Sequence, residues 1–335
     1  MGIDLPLMWA LIIGFGLLMY AVMDGFDLGV GLLFPWIKGA EQRDRMVNSV
    51  APIWDGNETW LVLGGAGLMA AFPSAYAILL SALYMPLLLM LGGLIWRGVA
   101  FEFRFKADAS HRPFWDRALI VGSYVATGAQ GVAIGAFIQG FEVADGRFVG
   151  GPLDVLTPFS VLTGGGLMLA YALLGATWLV MKTEGPLQAR MRALAKPLLW
   201  GVVAMIVLVS VWTPLLHPTV AQRWFGELNW LWLSPVPLCV VLTTWALWRA
   251  LARQHESAPF MLTLVLLLLG YLGLIVGLYP YLVPPSLTLR ELAAPDSSMG
   301  FTLVGALFIL PVILTYTAWS YYVFRGKVQS GEGYH

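Results

Sequence analysis

Nine runs of about twenty mostly apolar residues divide this sequence, and a run of that length crosses the roughly 30 Å hydrocarbon core of a bilayer as a helix. The runs are 7–34, 53–72, 75–100, 117–141, 158–181, 197–216, 229–251, 258–281 and 300–324. Inside lipid every backbone polar group must find its partner within the protein, so these runs are expected to be helical. Composition agrees: 59% of the residues are hydrophobic and 11% charged, against about a quarter charged in soluble domains. The expected fold is an all-α polytopic membrane protein with nine transmembrane helices.

Little chain is left over. Pro73 and Ser74 leave almost no connection between the second and third runs. The longest connections are 142–157, 182–196 and 282–299, too short for a soluble domain. Pro86 and Pro311 fall inside runs, where neighbouring helices must satisfy the carbonyls they free. The first run follows no basic segment and precedes no small-residue cleavage site, so it reads as a retained helix and not a signal peptide. A formal net charge of zero argues against nucleic acid as a partner. A single cysteine, Cys239, allows no internal disulfide and no thiolate metal cluster.

Lysine and arginine are unevenly divided between the two sides. Lys38, Arg43, Arg45, Arg97, Arg104, Lys106, Arg112, Arg117, Lys182, Arg190, Arg192, Lys196, Arg249, Arg253, Arg325 and Lys327 fall on one side of a nine-helix alternation. Only Arg147, Arg223 and Arg290 fall on the other. The positive-inside rule then puts the N-terminus outside and the C-terminus inside.

Against this apolar background, four acids at 20–60 stand out. Asp24 and Asp27 lie in the first run, within YAVMDGFDLGVG at Tyr20–Gly31. Asp55 and Glu58 open the second, within APIWDGNETWL at Ala51–Leu61. An aspartate at the centre of a membrane helix costs roughly 2.5–3.5 kcal/mol on the insertion scale. Asp24 precedes Pro35 by eleven residues, which sets it about 16 Å deep at about 1.5 Å per residue. Asp27 shares its face three residues on, and Asp55 lies within a turn of the cytoplasmic start of the second helix. The acids form a graded series from the cytoplasmic surface inwards, the arrangement a proton intake needs.

Each has a plainer reading. Asp24 and Asp27 could hydrogen-bond neighbouring helices and fix packing, or Asp27 could pair with a cytoplasmic cation. Glu58 could complement the dipole of its helix. Trp54 and Trp60 could be interfacial belt residues, a reading favoured for Trp60. Asn57 and Thr59 make the start of the second helix more polar than a simple cap requires. Gly25, Gly29 and Gly31, with Gly64, Gly65 and Gly67, have the small-residue spacing of close helix packing. His111, His217, His255 and His335 all avoid the middle of a run, where a membrane haem would take an axial ligand. No haem or metal site is expected in this chain.

A weak internal repeat aligns Gly16–Asp27 with Gly166–Thr177 at an offset of 150. Asp24 then meets Leu174 and Asp27 meets Thr177, so the second copy lacks the acids. The repeat divides the chain into a first four-helix unit (1–145), a second (146–285), and a ninth helix with a cytoplasmic tail (286–335).

DGFDLGVG, RMVNSVAPIWDGNETWL at Arg45–Leu61 and PVILTYTAW at Pro311–Trp319 together resemble subunit II of the cytochrome bd quinol oxidases, over essentially the whole chain. The short external connection between the sixth and seventh runs resembles the cyanide-insensitive branch. The resemblance implies a respiratory complex of the bacterial inner membrane that oxidises quinol and reduces dioxygen to water. It implies that two b-type haems and one d-type haem, with the external quinol site, belong to a larger subunit I, which pairs pseudosymmetrically with this chain. It implies that this chain supports subunit I and contributes a proton route from the cytoplasm, with Asp24, Trp54 and Asp55 on it. Asp27, Asn57 and Glu58 are further candidates. No catalytic residue is expected, and no activity of the chain alone. A small accessory membrane subunit and a structural quinone are compatible with the family. The rival from another class is a proton- or ion-coupled secondary transporter, which also uses repeats and intramembrane acids; a purely structural membrane subunit is a third reading.

Overall fold

The structure, a computed structural model, describes residues 4–226 and 228–328; the tail 329–335, with His335, lies outside the described residues. Helix α1, Leu5–Leu33, opens with Asp4, whose side chain accepts from the Leu7 N–H, and runs into a tight 3-10 turn at Phe34–Trp36. A short α2, Ala40–Asn48, leads to α3, Trp54–Ala71. The long pair α4, Pro73–Lys106, and α5, Arg112–Gln139, follows. A small hairpin of β1, Val143–Ala144, and β2, Arg147–Phe148, precedes α6, Pro158–Lys182. Thr157 and Ser160 close a reciprocal capping box at the start of α6, satisfying two N–H groups that helix geometry leaves open. Then come α7, Gly185–Leu216, the short α8, Pro218–Phe225, and α9, Asn229–Leu233. Helices α10, Pro235–Ala252, and α11, Ala258–Leu278, are followed by a hairpin of β3, Tyr281–Val283, and β4, Leu287–Thr288. Helix α12, Asp296–Val323, ends the described fold.

Among the described residues, eight helical stretches are long and apolar enough to cross a membrane: α1 with its 3-10 turn, α4, α5, α6, α7, Asn229–Ala252, α11 and α12. The run expected at 53–72 is α3, which falls outside this set because it begins with the polar stretch WDGNET. Helix α3 nevertheless runs antiparallel along α1. Asn57 bonds Asp27, a Cβ on Gly64 would meet Leu17, and one on Gly67 would meet Ile13. Its 18 residues span about 27 Å at about 1.5 Å per residue.

Two expectations about connections are corrected. Residues 182–196 are not a loop: α7 already begins at Gly185, so only Thr183 and Glu184 join it to α6. Helix α4 continues to Lys106, so Arg97 and Arg104 are helical and not loop residues. Pro86 and Pro311 lie inside helices as expected, and so do Pro197 and Pro214.

Helix α1 is the axis of the core. From Met23 to Leu33 every residue is buried. The two segments of the weak repeat lie on α1 and α6, which run in the same direction against each other: Gly25 faces Tyr171, and Gly29 faces Gly175. A Cβ on Gly29 would lie 1.9 Å from the Tyr171 carbonyl oxygen, and one on Gly175 would lie 2.4 Å from the Gly29 carbonyl carbon. Only glycine permits backbones this close. Gly31 is equally tight against Ser123 of α5, whereas a Cβ on Gly65 would meet nothing within 4 Å. Within this chain, Gly65 therefore makes none of the close helix packing its spacing suggested.

Candidate functional site: acids around Arg97

The four acids of the first two runs fall on α1 and α3, and α4 brings a cation to them. Arg97 Nη2 lies 2.5 Å from Asp24 Oδ1 and 2.5 Å from Glu58 Oε1. The side chains of Arg97 and Asp24 are wholly buried, while Glu58 keeps 27% of its side chain exposed. A guanidinium in an apolar helix is stable only when paired. Beside Arg97, Gly93 and Gly122 bring the α4 and α5 backbones into contact. Arg97 is thus no surface charge of the α4–α5 connection, where the orientation count had set it. Its signal was available: LGGLIWRGVAF continues apolar beyond the arginine, and a lone cation in such a run needs an acid partner.

Asp27, also fully buried, has no cation within ion-pair distance among the described residues: Asn57 Nδ2 donates to its Oδ2 at 2.7 Å. Tyr321 of α12 donates its hydroxyl to Asn57 Oδ1 at 2.9 Å. The cytoplasmic ion pair entertained for Asp27 is replaced by this neutral chain. Tyr321, 264 residues from Asn57, was missed because a tyrosine near the end of an apolar helix is ordinary in sequence.

Asp55 stands apart. It is exposed in the first turn of α3, and its carboxylate has no hydrogen-bond or ion-pair partner among the described residues. Three residues on, Glu58 is its neighbour on the same helix face. Trp54 is half-buried and stacks on Phe101 of α4, with ring centroids 5.4 Å apart. Trp60 is fully buried, edge-on to Phe15 at 5.7 Å. The belt reading of Trp60 fails, because its side chain points between helices and not to the interface.

Five polar atoms at the centre of this cluster are buried without a protein partner: Tyr20 Oη, Asp24 Oδ2, Asp27 Oδ1, Arg97 Nε and Arg97 Nη1. Buried polar groups are ordinarily satisfied, by protein or by ordered water. Three carboxyls around one guanidinium form an interior that is both charged and hydratable, graded outward through Glu58 to Asp55. Among the described residues, no group of three or more His, Cys, Asp or Glu side chains is placed to hold a metal ion. His217 is buried at the junction of α7 and α8, with Nε2 2.7 Å from the Ile138 carbonyl oxygen.

A second ionic cluster lies where α4 ends and α5 begins. Arg104, 1% exposed and so also not a loop charge, reaches Asp44 of α2 at 2.7 Å and Asp116 of α5 at 2.6 Å. Arg43 joins Asp116 at 2.8 Å.

A family model for cytochrome bd terminal oxidase subunit II matches residues 5–324. Cytochrome bd-I ubiquinol oxidase subunit 2 of Escherichia coli (strain K12) is 31% identical, over 97% of this chain and 95% of that protein. Cytochrome bd ubiquinol oxidase subunit 2 of Bacillus subtilis is 29% identical, over 97% of each. The solved structure of bd oxidase from Geobacillus thermodenitrificans superposes with a TM-score of 0.80 at 16% identity, covering 96% of this chain and 99% of the other. That last likeness concerns the fold alone.

Proposed function

The chain belongs to the cytochrome bd terminal oxidase subunit II family, and on that premise we propose that it feeds cytoplasmic protons to a haem-bearing partner through the acids around Arg97. It is a subunit of a membrane quinol oxidase of aerobic respiration, an oxidoreductase complex, and the transporter reading is set aside by the family match. The family implies a subunit I partner that carries the haems. In the proposal these are two b-type haems and one d-type haem, the membrane is the bacterial inner membrane, and the redox chemistry belongs to the partner alone.

The carrying observation is the stepped arrangement of acids. Asp55 is exposed, Glu58 is half-buried one turn on, and Glu58 shares the Arg97 guanidinium with the fully buried Asp24. A proton entering at Asp55 reaches Glu58 along one helix face and passes to Asp24 beside Arg97. The unpartnered atoms of Asp24, Asp27, Arg97 and Tyr20 support water as the carrier between them. Trp54, stacked on Phe101, walls the entry. Asn57 orients Asp27, and Tyr321 orients Asn57. The antiparallel course of α3 along α1 supports counting α3 as a ninth crossing, with the N-terminus outside and Asp55 inside. It also supports two four-helix units followed by α12.

The test is Asp55→Asn in the complete oxidase. The expected result is an unchanged reduced-minus-oxidised haem spectrum with oxygen uptake lowered at least tenfold. A variant that keeps full turnover removes Asp55 from the route. One that loses the haems makes its role structural.

A further inference from the structure

We propose that the cavity between α2 and the α4–α5 turn is a binding site for a phosphate-type oxyanion, supplied by a membrane lipid headgroup. The cavity has a volume of about 440 Å³, and Lys38, Ala40, Arg43, Arg104, Arg112 and Asp116 line it. Four cations thus line a space the size of a small-ligand pocket, against two acids, Asp116 in the lining and Asp44 behind Arg104 and Arg112.

The cations divide into two kinds. Arg43 and Arg104 are committed: both bind Asp116, Arg104 also binds Asp44, and both guanidiniums lie over the Phe34 ring at 5.0 and 5.5 Å. They form a fixed wall. Lys38 and Arg112 are less committed. Lys38 is exposed and has no ion-pair partner among the described residues. Arg112 has Asp44 only at 3.5 Å, and its Nε is buried without a hydrogen-bond partner. A charged donor on a cavity wall with one buried N–H unanswered favours a charged acceptor.

A third donor set converges on the same space. The nine-residue α2 begins at Ala40 after Gly39, which offers no side-chain cap. Its first N–H groups are therefore open, and a helix N-terminus favours anions through both donors and dipole. Lysine, arginine and helix N–H groups together suit an anion with several oxygens better than a single carboxylate. The depth argues for a lipid. Trp36 and Phe114, just outside the cavity, are 59% and 52% exposed, and exposed aromatic residues at helix ends mark the headgroup level.

The test uses the intact oxidase complex, purified in detergent in phosphate-free buffer and stripped of lipid. Phosphatidylglycerol, diacylglycerol and inorganic phosphate are titrated separately, with retention read by native mass spectrometry and thermal shift. The complex is expected to retain phosphatidylglycerol but not diacylglycerol. Retention should weaken at least tenfold in the Lys38→Gln/Arg112→Gln double variant and in Ala40→Asp, which sets a negative charge at the helix start. Binding of inorganic phosphate with the same sensitivity, or its displacement of the lipid, supports the oxyanion chemistry and assigns a soluble source. Equal lipid retention by wild type and both variants, or no binding of either phosphate probe, overturns the proposal. If the double variant does not assemble, Ala40→Asp decides.

Discussion

Arg97 and Asp24 meet at 2.5 Å with both side chains wholly out of solvent, joining α4 to α1 inside the helix bundle. Removing one member of a buried pair leaves a charge without its counter-charge, at a cost of about 3–5 kcal/mol. Arg97→Leu is therefore expected to lower the recovery of haem-containing complex and its unfolding temperature sharply. Arg97→Lys should recover only part, since a single ammonium reproduces neither the reach nor the forked donors. The Asp24→Asn/Arg97→Gln double variant should assemble better than Arg97→Leu. If it assembles no better, the two residues are not energetically coupled.

The α1–α6 crossing has no room for a methyl group. Gly29→Ala brings a Cβ to 1.9 Å from the Tyr171 carbonyl oxygen, and backbone cannot yield as a flexible side chain can. Overpacking costs typically 1–3 kcal/mol, and here the strained atom is backbone, so the upper end or more is expected. Gly65→Ala is the control, because nothing lies within 4 Å of its added methyl. Thermal unfolding of the two variants should differ by several degrees.

Crossing of the membrane by α3 is testable by cysteine labelling. In a Cys239→Ser background, Gln42→Cys and Ser74→Cys bracket α3, one before Trp54 and one after Ala71. An impermeant maleimide applied to intact cells should label Ser74→Cys and spare Gln42→Cys until the cells are opened. Labelling of both from one side would mean that α3 does not cross.

Near the end of the described chain, Lys327 binds Glu256 at 2.8 Å and Glu184 at 3.2 Å. Hydrogen bonds from Lys327 and Gln188 hold the Glu256 carboxyl below its ordinary value, and the Glu256 bond holds Lys327 above its own. A depressed acid contributes above its ordinary value, near 4.5, and that contribution is lost as the pH falls through the depressed value. A raised lysine contributes below its ordinary value, near 10.5, and that contribution is lost as the pH rises through the raised value. The tether is therefore expected to hold across neutral pH and to release in acid, below the ordinary carboxylate range. Limited proteolysis near Lys327 should speed up there, and Lys327→Met should speed it at pH 7. A flat profile in wild type would show that the pair does not hold the segment.

Much of the fold was legible in the one-dimensional pattern. The apolar runs marked α1, α4 to α7 and the later helices to within a few residues, except where α4 and α7 extend past their apolar centres. The acids stood out because Leu or Val would have packed there without cost. Arg97 was read as a loop charge because it sits near the end of its run, and Trp60 as a belt residue because tryptophan favours that place. Both readings were local statistics that a neighbouring helix overruled.

The sequence by itself determined that this chain is a bundle of membrane helices carrying buried acids near its first turn inward. Length against bilayer thickness and the cost of charge in lipid are properties a segment has alone. What met those acids was decided only in three dimensions. Arg97 lies 73 residues from Asp24, and Tyr321 264 residues from Asn57. A helix apolar nearly all round does not write into its own sequence which face it turns to which neighbour. That rotation is set by the glycine contacts of α1, α5 and α6, and with it the pairing of Arg97 to both Asp24 and Glu58.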